Sequence, residues 1–198
     1  MRVSVKSIAA KWLGVIWVLI LGGCSTEPIE ETVHQACGEG ENWLSDTAFT
    51  ELEANDSPWF YNQHAGERSF LFTSEAGTLT LQRISDEPWM ILRQTVASDK
   101  FAGATVRFSA QLKGDVATQP RLHGFEHKAG LYFNIGQRRD PVMADHVPNS
   151  GEWEWQTISV SRVIPEGEHE VQVGFVHQGG GTLWVKEPEL VITNCSSL

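Results

Sequence analysis

From Ala104 to Leu112 the chain alternates without a break. Ala104, Val106, Phe108, Ala110 and Leu112 are apolar, and Thr105, Arg107, Ser109 and Gln111 between them are polar. A period of two fits a strand with one face on a core and the other in water, and it fits no helix. Shorter runs of the same kind recur. Ser69 to Phe72 and Thr78 to Ile84 flank a turn signal at Glu75-Ala76-Gly77, which predicts a hairpin. Trp89 to Val96 follows Pro88, with Met90, Leu92 and Val96 on one face and Trp89, Ile91, Arg93 and Thr95 on the other. Leu131, Phe133 and Ile135 alternate with Tyr132 and Asn134. Ile158 and Val160 mark a strand from Trp155 to Ser161, and Val171, Val173 and Phe175 mark one from Glu170 to His177. Pro165-Glu166-Gly167 and Gly179-Gly180-Gly181 read as turns, and Leu183 to Val185 and Glu189 to Ile192 close the set. Residues 113 to 129 and 137 to 151 read as two long loops. Short strands without a long helical period predict an all-β fold, a two-sheet antiparallel jelly-roll sandwich.

The N-terminus is of another kind. Arg2, Lys6 and Lys11 precede an apolar run from Trp12 to Leu21, and Gly22-Gly23-Cys24 follows. Positive charge, a short apolar run and small residues before a cut describe a secretory signal peptide. The run is too short to span a bilayer, which takes roughly 20 residues. Leu21-Gly22-Gly23-Cys24 resembles the lipobox of bacterial lipoproteins. That resemblance implies removal of residues 1–23 and acylation of Cys24. Ser25 stands where an aspartate is associated with inner-membrane retention, which implies the outer membrane. Acyl chains contribute about 0.8 kcal/mol per buried methylene, so several of them hold a soluble domain on a membrane. Residues 24–36 are polar, acidic and aperiodic and are expected to be a flexible tether, leaving 37–198 as the β-sandwich binding domain.

Without residues 1–23 the chain carries 12 Lys and Arg against 25 Asp and Glu, a net charge of −13. Such a chain disfavours nucleic acid and anionic surfaces, where phosphates need cationic partners, and it is indifferent to uncharged sugars. With Cys24 acylated, Cys37 and Cys195 remain, near the two ends of the domain. An exported chain meets an oxidising compartment, so a Cys37–Cys195 disulfide is expected, with two unpaired thiols as the alternative.

Three stretches of the last third carry a second resemblance: Gly151-Glu-Trp-Glu-Trp-Gln-Thr-Ile-Ser-Val, then Val163-Ile-Pro-Glu-Gly-Glu-His-Glu-Val-Gln-Val-Gly-Phe, then Gly179-Gly-Gly-Thr-Leu-Trp-Val-Lys-Glu-Pro-Glu-Leu. In this order they resemble the galactose-binding-like jelly roll of carbohydrate-binding modules. Asn42-Trp43-Leu44-Ser45-Asp46-Thr47-Ala48-Phe49 resembles the opening of those modules, and Trp89 to Val96 their middle strand. The resemblance implies a sandwich and, in many members, a structural calcium. Lys186 and Glu187 stand where the family has a pair of aspartates. Calcium takes oxygen ligands and lysine supplies none, which leaves Glu39, Glu41 and Glu187 as candidates and no cofactor as the expectation.

Sugar rings stack their C–H faces on aromatics, so the tryptophans matter most. Trp155 and Trp184 match fold positions and read as structural. Trp59, in a loop after Pro58, and Trp89, on a polar strand face, are the candidate platforms. Arg93, Arg107, Gln111, Tyr132, Asn134 and Gln172 are expected to line the outer surface of one sheet, where arginine, amide and phenol groups offer directed hydrogen bonds to hydroxyls. Trp59, Trp89, Arg93, Arg107, Tyr132 and Asn134 are thus the predicted ligand-binding set. An ordinary wet sheet face would show similar residues.

Catalytic signals are weak. His123-Gly-Phe-Glu-His127 matches a zinc-protease string that requires a helix, but Pro120, Gly124 and Gly130 around it predict a loop. Lys128-Ala-Gly-Leu-Tyr132 is similar to one motif of jelly-roll alginate lyases, whose other two motifs have no counterpart here. No Gly-x-Ser-x-Gly elbow is present. The expectation is a membrane-anchored, non-catalytic lipoprotein that binds a glycan or cell-envelope polysaccharide. A structural lipoprotein contacting a protein partner is the alternative, and a small polysaccharide lyase or hydrolase the third reading.

Overall fold

The computed structural model describes residues 38–118, 121–136, 142–143 (backbone only) and 150–195. Ten strands follow one another: β1 Phe60–Gln63, β2 Phe70–Glu75, β3 Thr78–Arg83, β4 Trp89–Ala97, β5 Thr105–Val116, β6 Lys128–Ile135, β7 Val142–Met143, β8 Gly151–Val163, β9 Glu170–Gln178 and β10 Gly181–Asn194. They form two five-stranded antiparallel sheets, ordered β1-β4-β9-β6-β7 and β2-β3-β10-β5-β8. Chain neighbours mostly lie apart in these sheets, as in a jelly roll.

The alternation read from the sequence decides which side chains meet between the sheets. Met90 and Leu92 of β4, Leu131 and Phe133 of β6 and Val171, Val173 and Phe175 of β9 face Val106, Phe108 and Leu112 of β5, Ile158 and Val160 of β8 and Leu183 and Val185 of β10, all buried. Full burial of each such side chain stabilises the fold by roughly 1.5–3 kcal/mol. The Glu75-Ala76-Gly77 hairpin forms as expected, with Ala76 at φ 48° and Gly77 at φ 75°. Two positive φ values in a row give the turn the twist of its flanking strands.

Four features depart from expectation. β1 is a strand of four residues that no sequence pattern marks. β5 extends to Val116 and β6 starts at Lys128, so the first loop is shorter than predicted, while β7 interrupts the second and β8 outruns its predicted bounds at both ends. The two last runs are one strand, β10, interrupted by a register shift between Lys186 and Glu189. The segment before β1 is irregular yet tied to both sheets. Asn42 Oδ1 accepts from the Leu190 amide (3.0 Å) and Nδ2 donates to the Pro188 carbonyl (3.1 Å), while Gln94 Oε1 accepts from the Ser45 amide (3.1 Å). Residues 1–37, on which the expected signal peptide, Cys24, the expected tether and Cys37 fall, lie outside the described residues; Cys195 packs against the core.

Among the described residues, the buried strand β9 carries an imidazole. His177 of β9 is fully buried, edge-on to Phe70 with ring centroids 5.5 Å apart. Burial pushes its pKa from 6.5 down to about 4. The unfolded chain therefore binds a proton near pH 6.5 that the folded chain refuses until pH 4. Stability is intact above pH 6.5 and falls as pH drops through this window, by about 3 kcal/mol in all. Urea titrations at pH 7 and pH 4 are expected to show this loss in the native chain and a loss smaller by about that amount in His177→Leu.

Candidate functional site

Inward alternation puts the other half of each strand on the outer face of its sheet, although on β6 and β9 the residues of that face, Tyr132, Asn134, Gly174 and Val176, are buried too. On the outer face of the β1-β4-β9-β6-β7 sheet, cross-strand pairing sets Phe60 beside Arg93, Arg93 beside Gly174 and Gly174 beside Tyr132. This row crosses four strands, about 14 Å at the usual strand spacing. Phe60 is 58% exposed. The Arg93 guanidinium lies 5.2 Å from the centre of its ring. The Arg93 cation is also near enough to the Tyr132 phenol to act on its titration. Burial raises the Tyr132 pKa, with Arg93 acting against it, so the phenol stays neutral and keeps its proton for donation.

Gly174 makes the row possible. A Cβ there would run into the Leu92 carbonyl oxygen and the Arg93 Cα. The floor beside it is apolar and largely buried, with Ile91 opposite Val176 and Val176 opposite Gly130. At one end Trp89 closes the trough, with His64 edge-on at 6.0 Å and Phe125 6.0 Å beyond. At the other end Thr95, Gln172 and Asn134 pair across three strands. Asn134 is buried; its Nδ2 donates to the Gly136 carbonyl (3.1 Å), but its Oδ1 has no partner among the described residues. A buried acceptor left empty costs on the order of 1–3 kcal/mol, which a hydroxyl donor would recover.

Of the predicted set, Trp89, Arg93, Tyr132 and Asn134 therefore share one face, with Gln172. Trp59 does not. It is 3% exposed, stacked on Phe175 at 5.8 Å, and its Nε1 donates to the Asp46 carbonyl (3.1 Å). A buried indole held on both sides offers no platform. Arg107 and Gln111 lie on β5, in the opposite sheet, because odd-numbered residues of β5 face outward there. Arg107 pairs with Glu189 at 3.3 Å. Trp155 and Trp184 are half-buried on that same outer face rather than in the core; Trp153 is the inward indole, and its ring fills the space above Gly114. Phe60 was missed because β1 carries no alternation; its only signal is the aromatic string Trp59-Phe60-Tyr61 after Pro58.

The motifs weighed for other chemistry resolve simply. Leu122 and Phe125 pair across a tight turn with His123 at φ 50° and Gly124 at φ 85°, so the two histidines of the string share no helix face. His127 Nδ1 accepts from the Gly180 amide at 3.0 Å. Glu187 accepts from Gln111, and among the described residues no three His, Cys, Asp or Glu side chains converge as metal ligands.

No protein-family model matches the chain, and no curated protein matches it. Solved structures do. The CBM22-1 xylan-binding domain of Paenibacillus barcinonensis Xyn10C superimposes with a TM-score of 0.52 at 11% identity, over 80% of this chain and 98% of that one. The fold is that of carbohydrate-binding jelly rolls. The C-terminal family 22 carbohydrate-binding module of Clostridium thermocellum Xyn10B gives 0.50 at 14% identity, over 82% and 99%. The enzymatically active domain of bacteriophage CBA120 tailspike protein 4 gives 0.54 at 13% identity, but this chain spans only 21% of it while 76% of this chain is covered. At such identities the likeness concerns the fold.

Replacing Gly174 by alanine is expected to force β4 and β9 apart and to separate Arg93 from Tyr132. A loss of about 1–3 kcal/mol in urea unfolding is the expected cost of the forced contact.

Proposed function

We propose that the protein is a glycan-binding module whose ligand lies in the trough on the outer face of the β1-β4-β9-β6-β7 sheet. The observation that carries this reading is the Phe60–Arg93–Gly174–Tyr132 row. It offers an exposed ring, an arginine beside it, and a buried phenol two strands from that arginine across a glycine. Aromatic faces take sugar C–H surfaces, and directed donors take hydroxyls. The unfilled Asn134 acceptor adds a fixed point at one end. Xylan binding by a neighbour of the same fold supports this reading without naming the ligand here. Binding rather than bond cleavage is the proposed role.

Phe60, Arg93 and Trp89 sit on the outer face, so their removal spares the core. Phe60→Ala and Arg93→Ala are each expected to weaken binding by about tenfold or more, a loss of about 1.4 kcal/mol or more. Calorimetry against a panel of soluble plant and bacterial glycans measures it. Unchanged affinity in both variants, or no binder anywhere in the panel, would sink the proposal.

We infer further that Cys24 carries lipid, that the module hangs from the outer membrane on residues 24–36, and that Cys37 pairs with Cys195. Basic, apolar and small residues before Cys24 support the first point, and an oxidising compartment supports the last. Peptide mass spectrometry without reductant is expected to find an acylated peptide beginning at Cys24 and a Cys37–Cys195 cross-link. An unmodified Cys24 or two free thiols would refute the corresponding point.

A further inference from the structure

The trough leaves two tryptophans unused. Trp155 of β8 and Trp184 of β10 lie half-buried on the outer face of the opposite sheet, β2-β3-β10-β5-β8. The core does not need them there, since Trp153, Leu183 and Val185 point inward beside them. Each carries a lysine: Lys186 Nζ lies 4.4 Å from the centre of a Trp155 ring, and Lys113 Nζ lies 5.9 Å from that of Trp184. Lys113 is also held by both oxygens of Glu154, at 3.2 and 3.0 Å.

A cavity of about 380 Å³ opens on the same face. Its floor is Ser109 and Gln111 of β5 and Thr157 of β8, with Thr47 on one side and the Glu187–Glu189 arm of β10 on the other. This size is at the small end of the range for small-molecule pockets. The arm stands away from the sheet because β10 is bulged there, with its register shifted between Lys186 and Glu189. Glu187 holds φ 53°, a left-handed backbone unusual for a residue with a side chain. Such strain persists only where the surroundings impose it, and it gathers at ligand sites. Both glutamates are fixed from behind, Glu187 by the Gln111 amide and Glu189 by Arg107. Each carboxylate contributes only one oxygen to these contacts, so the other is left to accept from a hydroxyl. Trp155 does not line the cavity itself, but it lies under Lys186, the residue that precedes Glu187.

The geometry points to a second saccharide site here, on the opposite side of the sandwich from the trough, for a neutral sugar unit. Its hydroxyls donate to Glu187 and Glu189, Lys186 swings from the Trp155 face to donate to a ring or hydroxyl oxygen, and the freed indole takes the C–H face. Two carboxylates in the wall, in a chain of net charge −10, exclude an acidic sugar. With sites on both sheets, one molecule bridges two glycan segments. The inference rests on the glycan-binding reading for the kind of ligand, and on separate residues for the site.

The two sites are separable in the full chain in detergent, with ¹⁵N-labelled indole signals followed by NMR. Xylohexaose, β-1,4-galactotriose and D-galactose are the neutral probes and trigalacturonate the acidic one. Neutral probes are expected to shift the Trp155 signal. The shift is expected to persist in the Phe60→Ala/Arg93→Ala double variant, and to weaken at least tenfold in Thr157→Arg, which fills the cavity without touching Trp155. A Trp89 shift with Trp155 and Trp184 unmoved overturns the second site and leaves the trough standing. A Trp155 shift lost in the double variant overturns it equally. A stronger response to trigalacturonate than to any neutral probe overturns the sugar class. Silence at all six tryptophans of residues 38–195 refutes both sites together.

Discussion

Phe175 sits where the sandwich would otherwise come apart. It projects from β9 and meets Phe108 of the facing sheet at 5.8 Å, and it meets Trp59 and Phe49 of the irregular N-terminal segment at 5.8 and 6.1 Å. One ring thus joins both sheets and the segment that closes the end of the barrel-like core. Aromatic pairs at these distances contribute roughly 0.5–1.5 kcal/mol each beyond the area they bury. Asn42 and Gln94 complete the closure by lending amides to backbone that has no strand partner, which avoids unsatisfied polar groups.

That closure consumes some aromatics and releases others. Phe49, Trp59, Phe108 and Phe175 are spent on holding the sheets together. Phe60, Trp89, Trp155 and Trp184 lie on outer faces, where they do nothing for the core. A pleated strand forces this division, because neighbours in sequence point to opposite sides. Trp59 and Phe60 illustrate it: adjacent residues, one 3% exposed and the other 58%. The same rule puts Arg93 and Arg107 on opposite sides of the molecule, since their strands belong to different sheets.

Both outer faces pair rings with cations, but differently. In the trough, Arg93 lies over the exposed Phe60 ring, beside a floor in which Val176 and Tyr132 are buried. On the opposite face, lysines lie over the indoles and acidic residues rim the cavity. Arginine holds a planar, pre-oriented fork, whereas lysine is a mobile point charge that can leave a ring when a ligand arrives. The first face is preformed and the second is gated by its own side chains.

Much of this was legible in the chain alone. Alternation from Ala104 to Leu112 and its shorter relatives determined strands, inward residues and the all-β class, because burial of one strand face is a local, periodic property. The turns at Ala76-Gly77 and Gly167 were equally local, written in residues that tolerate positive φ. Trp89, Arg93, Tyr132 and Asn134 could be assigned to polar strand faces for the same reason. What the chain could not say was which strands share a sheet. Pairing between β4, β9 and β6 spans residues 89 to 178, and no local pattern encodes a partner so far away. Sheet membership therefore separated Arg107 from Arg93, drew Trp59 into the core, turned Trp155 and Trp184 outward and brought Phe60 to the trough. Composition supplied the aromatic and polar groups; long-range pairing, driven by burial of Phe175 and its neighbours, decided which of them meet.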